Sequence, residues 1–204
     1  MNSREHQALL NILTRPSTEV APLLLGAVLH GRGVSVRLTE VEAYLGELDP
    51  GSHAFRGPTK RTAVMYGPAG HLYVYFTYGM HVCANIVCGA TGEATAVLVR
   101  AGEVVTGLDV ARSRRVTSKM DADLARGPAR LCVALGITLG DDGVALGGEF
   151  RLDLPQHPAA VFDTGPRTGV SGDGGSDAFP WRFWIPGDPT VSPYKKSVPK
   201  KRIS

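Results

Sequence analysis

Two runs of strand-forming residues, Leu72-Tyr73-Val74-Tyr75-Phe76-Thr77 and His81 to Cys88, stand on either side of Tyr78-Gly79-Met80. β-Branched and aromatic side chains fit a pleated surface, and a glycine supplies the positive φ of a tight turn. The spacing predicts a β-hairpin. A three-residue turn fixes its register, with Thr77 opposite His81, Tyr75 opposite Cys83 and Tyr73 opposite Asn85. Tyr73, Tyr75 and Asn85 then share one face, below a tip that carries Tyr78 and Met80. An isolated hairpin is marginally stable, so further strands must cover this one.

Val28-Leu29-His30, Gly31-Arg32-Gly33 and Val34 to Leu45 read as strand, turn and long strand. Alternation puts Leu38, Glu40, Glu42 and Tyr44 on one face of the long strand, and Thr39, Val41, Ala43 and Leu45 on a core-like face. Ala94 to Arg100 reads as another strand, with short ones near 149–154 and 181–185. Asn2 and Glu5 have capping-box spacing ahead of Ala8, Leu9, Ile12 and Leu13, and Pro16 stops that helix. A second helix starts near Ser17 or Thr18. Residues 104–136 read as mostly helical, with Pro128 in a first turn and Gly136 closing the last helix. The 46–70 segment is a long, turn-rich loop, and 171–177, without an apolar residue, a mobile one.

With 25 glycines and 14 prolines in 204 residues, a helical bundle is excluded. The length suits one domain. The expected fold is α+β: a single domain over 1–204, built on a curved antiparallel β-rich sheet or open barrel with surrounding short helices and a protruding β-hairpin. Residues 1–16 hold an N-terminal helix and 193–204 a flexible basic tail.

Several chemistries are absent from the pattern. There is no phosphate-cradling GxxxxGK[ST], no GxGxxG after a strand, no HExxH, no His/Cys pair at zinc spacing and no GxSxG elbow. No metal and no cofactor are expected. The odd set Cys83, Cys88 and Cys132 argues against a disulfide framework and for buried free thiols in a reducing compartment. No stretch is apolar enough to span a membrane, and Met1 to Gln7 lacks a signal-peptide layout, so a cytoplasmic location is expected. A formal charge of +3 permits a polyanionic partner without requiring one. Arg112, Arg114, Arg115 and Lys119 form one basic stretch and Lys195, Lys196, Lys200, Lys201 and Arg202 another, each equally a solvated face.

That leaves carboxylates and aromatics. Glu42 shares a strand face with Glu40 and Tyr44, which offers a carboxylate beside an aromatic wall; the same pattern also suits two solvated glutamates on an edge strand. Tyr73, Tyr75 and Phe76 read as sheet packing. Tyr78, at a turn tip, cannot easily reach a core and suggests an interaction surface or wedge. His53, in a loop, and Asn85, polar within an apolar strand, are further candidates.

The segments Glu40-Val41-Glu42-Ala43-Tyr44-Leu45-Gly46, His53, Met65-Tyr66-Gly67-Pro68-Ala69-Gly70-His71-Leu72-Tyr73-Val74-Tyr75-Phe76-Thr77-Tyr78-Gly79-Met80, Asn85-Ile86, Arg100-Ala101 and Gly127-Pro128-Ala129-Arg130-Leu131-Cys132 together resemble the alkyladenine (3-methyladenine) DNA glycosylase family. The resemblance spans roughly residues 17 to 192. It implies a monofunctional base-excision-repair enzyme. Such an enzyme flips alkylated or deaminated purines (3-methyladenine, 7-methylguanine, hypoxanthine, ethenoadenine) out of duplex DNA and hydrolyses the N-glycosidic bond with an activated water. It implies Glu42 as the residue that deprotonates the water, with Arg100 as a catalytic partner near it that helps hold the water site, and no part for Glu40. Tyr44, His53, Tyr75 and Asn85 are implied as the base pocket, with Tyr78 and Met80 as the intercalating tip. The partner is damaged double-stranded DNA and the protein a monomer, nucleoid-associated if prokaryotic. Val41 and His81 depart from the family's usual residues, as does the glycine-rich 171–177 segment. The alternative is a non-catalytic binder of damaged DNA or structured RNA. A carboxylate facing a phosphate backbone counts against it.

Overall fold

The computed structural model describes residues 3–77 and 79–197. Asn2, Tyr78 and the tail residues Lys200, Lys201 and Arg202 lie outside the described residues. The helices are α1 (Ser3–Leu13), α2 (Ser17–Leu23), α3 (Leu108–Arg114) and α4 (Pro128–Leu135). The strands are β1 (Val28–Gly31), β2 (Val34–Leu45), β3 (Leu72–Thr77), β4 (His81–Cys88), β5 (Thr95–Thr106), β6 (Phe150–Asp153), β7 (Asp163–Gly165) and β8 (Arg182–Trp184). All pair antiparallel in one open sheet of order β3-β4-β5-β2-β1-β6; β8 adds to β2, and β7 to β8. This is the α+β fold expected, with an open rather than closed sheet.

The hairpin has the register its turn dictates: Thr77 pairs with His81, Tyr75 with Cys83 and Tyr73 with Asn85. Burial falls toward its tip, where Phe76, Gly79, Met80 and His81 are exposed, so the hairpin protrudes beyond the sheet.

One face of the sheet is core. Val41, Ala43, Leu72, Ala84, Ile86, Val97 and Val99 are fully buried there. They share a cluster with Leu9 and Leu13 of α1, Val20 and Ala21 of α2 and Leu131, Cys132, Ala134 and Leu135 of α4. Burying each such side chain contributes about 1.5–3 kcal/mol, which these short helices need because they are too brief to be stable alone. Cys83, Cys88 and Cys132 are buried free thiols, as expected.

The central strand β2 is paired on both edges. β5 follows it from Ser35 to Leu45; on the other side β1 covers residues 34–37 and β8 covers 40–42. Glu40 and Glu42 are therefore not edge residues in water, and both are fully buried. Besides a slip between Ser35 and Val36, the ladder with β5 slips twice around Glu40. Thr39 has no partner between the pairs Leu38–Gly102 and Glu40–Ala101, and Arg100 has none between Glu40–Ala101 and Val41–Val99. These are β-bulges, which re-aim a side chain locally.

Other expectations need correction. Residues 104–136 are not mostly helical: β5 runs on to Thr106, and turns, with one short 3-10 segment, fill the stretch between α3 and α4. β7, of sequence Asp-Thr-Gly, carries no strand signal and forms because β8 offers it an edge. The 171–177 segment does not stand free; Gly174 is buried so close to Gly51 that a Cβ on it would lie 2.3 Å from the Gly51 nitrogen. The basic stretch around α3 is spent internally. Arg112 pairs with Asp109 and Asp121, Arg114 donates to the carbonyls of Ala134 and Arg32, and Arg115 donates to that of Leu124.

Gly102 of β5 lies tight against β2, beside the bulge at Thr39. An added Cβ would lie 2.3 Å from the Arg37 carbonyl oxygen and 2.5 Å from Val36 Cγ1. Gly102→Ala is expected to destabilise the protein by about 1–3 kcal/mol through overpacking, read as a lowered urea midpoint. An unchanged midpoint would show that the ladder yields at no cost.

Candidate active site

A row of directly opposed residues crosses five strands: Tyr73, Asn85, Leu98, Glu42 and Arg182. Opposed residues of antiparallel strands project to the same face. Their face is the one turned away from the helices. Four of the five, all but Arg182, line a cavity of about 300 Å³. Glu42, Tyr44, His53, Tyr75, Asn85 and Arg100 all line it, so the six residues nominated for catalysis and the base pocket converge. The 168–171 segment also lines it, as do Tyr73, Met65 and Cys83, which were not singled out as site residues. Tyr73 was detectable, since it shares the hairpin face with Tyr75 and Asn85.

Glu42 is held by two hydrogen bonds and one ion pair. The Tyr44 hydroxyl donates to Oε2 at 2.9 Å, the Thr168 backbone N–H donates to Oε1 at 2.8 Å, and Arg100 Nη1 lies 3.4 Å from Oε1. A carboxylate offers roughly four acceptor sites, so capacity remains for a small polar molecule. Beside it the Thr168 hydroxyl is buried with no partner among the described residues. Buried polar groups are normally satisfied, which marks this hydroxyl as a group awaiting one.

Arg100 is the extra residue of the second bulge, and the bulge aims its guanidinium between two carboxylates. Nε donates to Glu40 Oε1 at 2.8 Å while Nη1 faces Glu42. Glu40 does not line the cavity. It accepts also from Arg182 Nε at 2.6 Å and from the Ser192 backbone N–H at 2.7 Å.

The cavity walls are aromatic. Tyr73 and Tyr75 stack with centroids 5.5 Å apart, and His53 meets Tyr75 edge-on at 4.6 Å. Burial, reinforced by the charge of Glu42, pushes the Tyr44 and Tyr75 hydroxyls well above the usual phenol range, so both remain neutral donors. His53 has its outer edge in solvent but is crowded by the tyrosines. Desolvation, then the nearby Arg61 charge, lowers its pKa to about 4. Because Arg61 Nη2 only donates, at 3.3 Å, His53 Nε2 accepts, and Nδ1–H is left to donate to the Tyr73 hydroxyl at 3.1 Å. The Asn85 amide donates to the Tyr73 carbonyl at 3.3 Å, which fixes its side chain across the hairpin.

A second buried pair frames the site. Arg167, with no exposed surface, donates to both Asp49 oxygens at 2.5 and 2.6 Å, to the Ala43 carbonyl at 2.9 Å and to the Gly174 carbonyl at 2.7 Å. Its guanidinium lies 4.6 Å from the Tyr44 ring centre and 5.2 Å from that of Trp181. The first residues of the basic tail run alongside, with the Gly169 N–H donated to the Lys195 carbonyl.

Met80, at the hairpin tip, is 70% exposed. Tyr78, expected as the wedge, lies outside the described residues. Arg56, Lys60 and Arg61 are exposed on the loop that carries His53.

The His53 environment sets a pH test. Its folded value lies below the ordinary 6.5, so the fold favours neutral imidazole. The associated stability is present above pH 6.5 and is lost as pH falls toward 4. The His53 ring resonances are expected to titrate near 4 in NMR; a midpoint above 6 would contradict the crowding described.

A family profile described as methylpurine-DNA glycosylase matches residues 11–189. A protein of Leifsonia xyli subsp. xyli named as a candidate 3-methyladenine DNA glycosylase is 60% identical over 190 residues, covering 88% of this chain and 89% of that one. Proteins of the same name in Streptomyces avermitilis and Nocardia farcinica are 53% identical over 198 residues (92% of each chain) and 55% identical over 183 residues (85% of each). With the profile spanning most of its length and relatives this similar, the chain belongs to the methylpurine-DNA glycosylase family, hydrolases of N-glycosyl bonds in DNA.

Proposed function

We propose that the protein extrudes an alkylated or deaminated purine from duplex DNA into this cavity, and that Glu42 activates the water that cleaves its N-glycosidic bond. The observation that carries the reading is Glu42 itself: a fully buried carboxylate with two hydrogen-bond donors and a guanidinium, spare acceptor capacity, an unpaired hydroxyl on the neighbouring Thr168 and aromatic rings around it.

The bond breaks through an oxocarbenium-like transition state. Alkylation at N3 or N7 makes the base cationic and a good leaving group, so little acid catalysis is needed. Tyr44 and Tyr75 present faces that favour a cationic ring by about 0.5–2 kcal/mol each. A neutral His53 adds no charge of its own to that wall, over which the Arg61 guanidinium stands 5.4 Å from the Tyr75 ring centre. A water bound between Glu42 and the Thr168 hydroxyl gives its proton to Glu42 as its oxygen bonds to C1′. The electron pair of the C1′–N bond leaves with the base. A positioned base of this kind contributes about 10²–10⁴-fold. Glu42 also faces the positive charge growing on the sugar.

For a neutral base such as hypoxanthine the leaving group needs a proton or a hydrogen bond. With the His53 pKa near 4, imidazolium is scarce at neutral pH, and the tyrosine hydroxyls and water remain as donors. Asn85, fixed by its bond to Tyr73, screens the edge of the base. Flipping costs a few kcal/mol. Tyr78 at the hairpin tip offsets this by entering the minor groove and filling the gap, with the exposed Met80 beside it. Arg56, Lys60 and Arg61 supply phosphate contacts and salt-dependent affinity.

The test is excision from duplexes bearing single 7-methylguanine, hypoxanthine or ethenoadenine residues, scored as abasic sites without added metal. Glu42→Gln is expected to lower single-turnover cleavage by at least about 10²-fold while retaining lesion binding; cleavage at the native rate would remove Glu42 from the role of base. Tyr78→Ala is expected to weaken flipping, followed with a fluorescent base, more than binding to undamaged DNA. Equal losses in both would remove the wedge.

A further inference from the structure

Glu40 is the buried titratable group that the reaction above leaves unused. Its two oxygens accept from Arg100, Arg182 and the Ser192 N–H, and it makes no wall of the cavity. Burying a carboxylate without compensation is costly, and replacing it with an apolar residue is often neutral or stabilising. A purely structural account leaves one detail idle: Arg100 is the bulged residue, aimed so that one guanidinium edge meets Glu40 and another faces Glu42. We propose that Glu40 is a positioning residue for Glu42. It holds Arg100 by Nε so that Nη1 points at the catalytic carboxylate, and with Arg182 it sets the charge balance that decides at what pH Glu42 works. The inference rests on the reading of Glu42 as the base.

The charges are few and can be counted. Glu40 and Glu42 face Arg100 and Arg182, two of each sign. Arg167, on the segment after β7, is paired with Asp49. Tyr44 from β2, Tyr75 from β3 and Cys83 from β4 also face Glu42. All three are raised by burial, the thiol to about 11, and stay neutral across the working range. His53, on the far wall, titrates in the native protein and in the variants below alike. Glu40 and Arg182 are thus opposing charges near Glu42 that can be altered without touching the cavity lining. Removing Glu40 leaves excess positive charge beside Glu42 and favours its anion. Removing Arg182 leaves excess negative charge and disfavours it. The two substitutions must shift activity in opposite directions along the pH axis, which loss of packing does not produce.

The experiment is a pH profile of single-turnover excision of 7-methylguanine. The base is already cationic and needs no protonation, and His53 is common to the native protein and the variants, so a difference between their acid limbs reports the altered surroundings of Glu42. In Glu40→Gln the acid limb is expected to move down by about 1 pH unit, with a lower plateau because Arg100 has lost its anchor. In Arg182→Gln it is expected to move up by a similar amount. If one variant fails to fold, the direction of the other still decides. Limbs that superpose on the native one, or that move the same way in both variants, overturn the proposal. Glu42→Gln is the control. If it cuts normally, the underlying reading falls. If it is silent while the two limbs stay in place, only the role of Glu40 falls.

Discussion

The guanidinium of Arg167 is the contact on which the cavity depends. It has no exposure to water, and it bonds to the carbonyl next to Glu42, to both oxygens of Asp49 and to the Gly174 carbonyl, with Tyr44 and Trp181 beside it. The residue that follows it, Thr168, gives its backbone N–H to Glu42. A chain segment without regular structure is thus located to hydrogen-bond accuracy against β2. A planar fork matched to a carboxylate holds orientation as well as charge, which a lysine ammonium would not do.

Two neutral ion clusters lie within a few residues of one another: Arg167 with Asp49, and Glu40 and Glu42 with Arg100 and Arg182. Such groups rarely add stability over a well-packed apolar core, while removing one member strands its partner. Their use here is geometric. They hold a buried carboxylate, Glu42, in a fixed orientation close to aromatic side chains. The apolar core on the other face of the sheet supplies the stability that the ionic side does not.

Much of this was legible in the sequence where the determinants are local. The turn length fixed the β3–β4 register, and alternation put Tyr73, Tyr75 and Asn85 together on one face of the hairpin and Glu42 with Tyr44 together on one face of β2. The family resemblance brought His53 and Arg100 to the same place. What could not be read is long-range. Glu40 and Glu42 looked equally like edge residues because the strand covering that edge, β8, lies some 140 positions further on. A bulge leaves no trace in composition, so the aim of Arg100 was hidden. Thr168, Asp49 and Arg167 carry no motif by themselves; they matter through where Arg167 lands. The helical reading of 104–136 failed because a strand that outruns its apolar segment, as β5 does past Arg100, is held by its neighbour rather than by its own pattern.

The late position of Ser192 has a consequence for the order in which the molecule is made. Glu40 and Glu42 leave the ribosome early, yet their ligands arrive with Arg100, then Thr168, then Arg182 and finally Ser192. Until β8 is made, β2 has one edge bare beyond Arg37. Contacts of such sequence separation are slow to form. The full set of donors around the two glutamates is therefore complete only once Ser192 has been made, and a nascent chain halted before Thr168 holds Glu42 without the backbone donor that orients it.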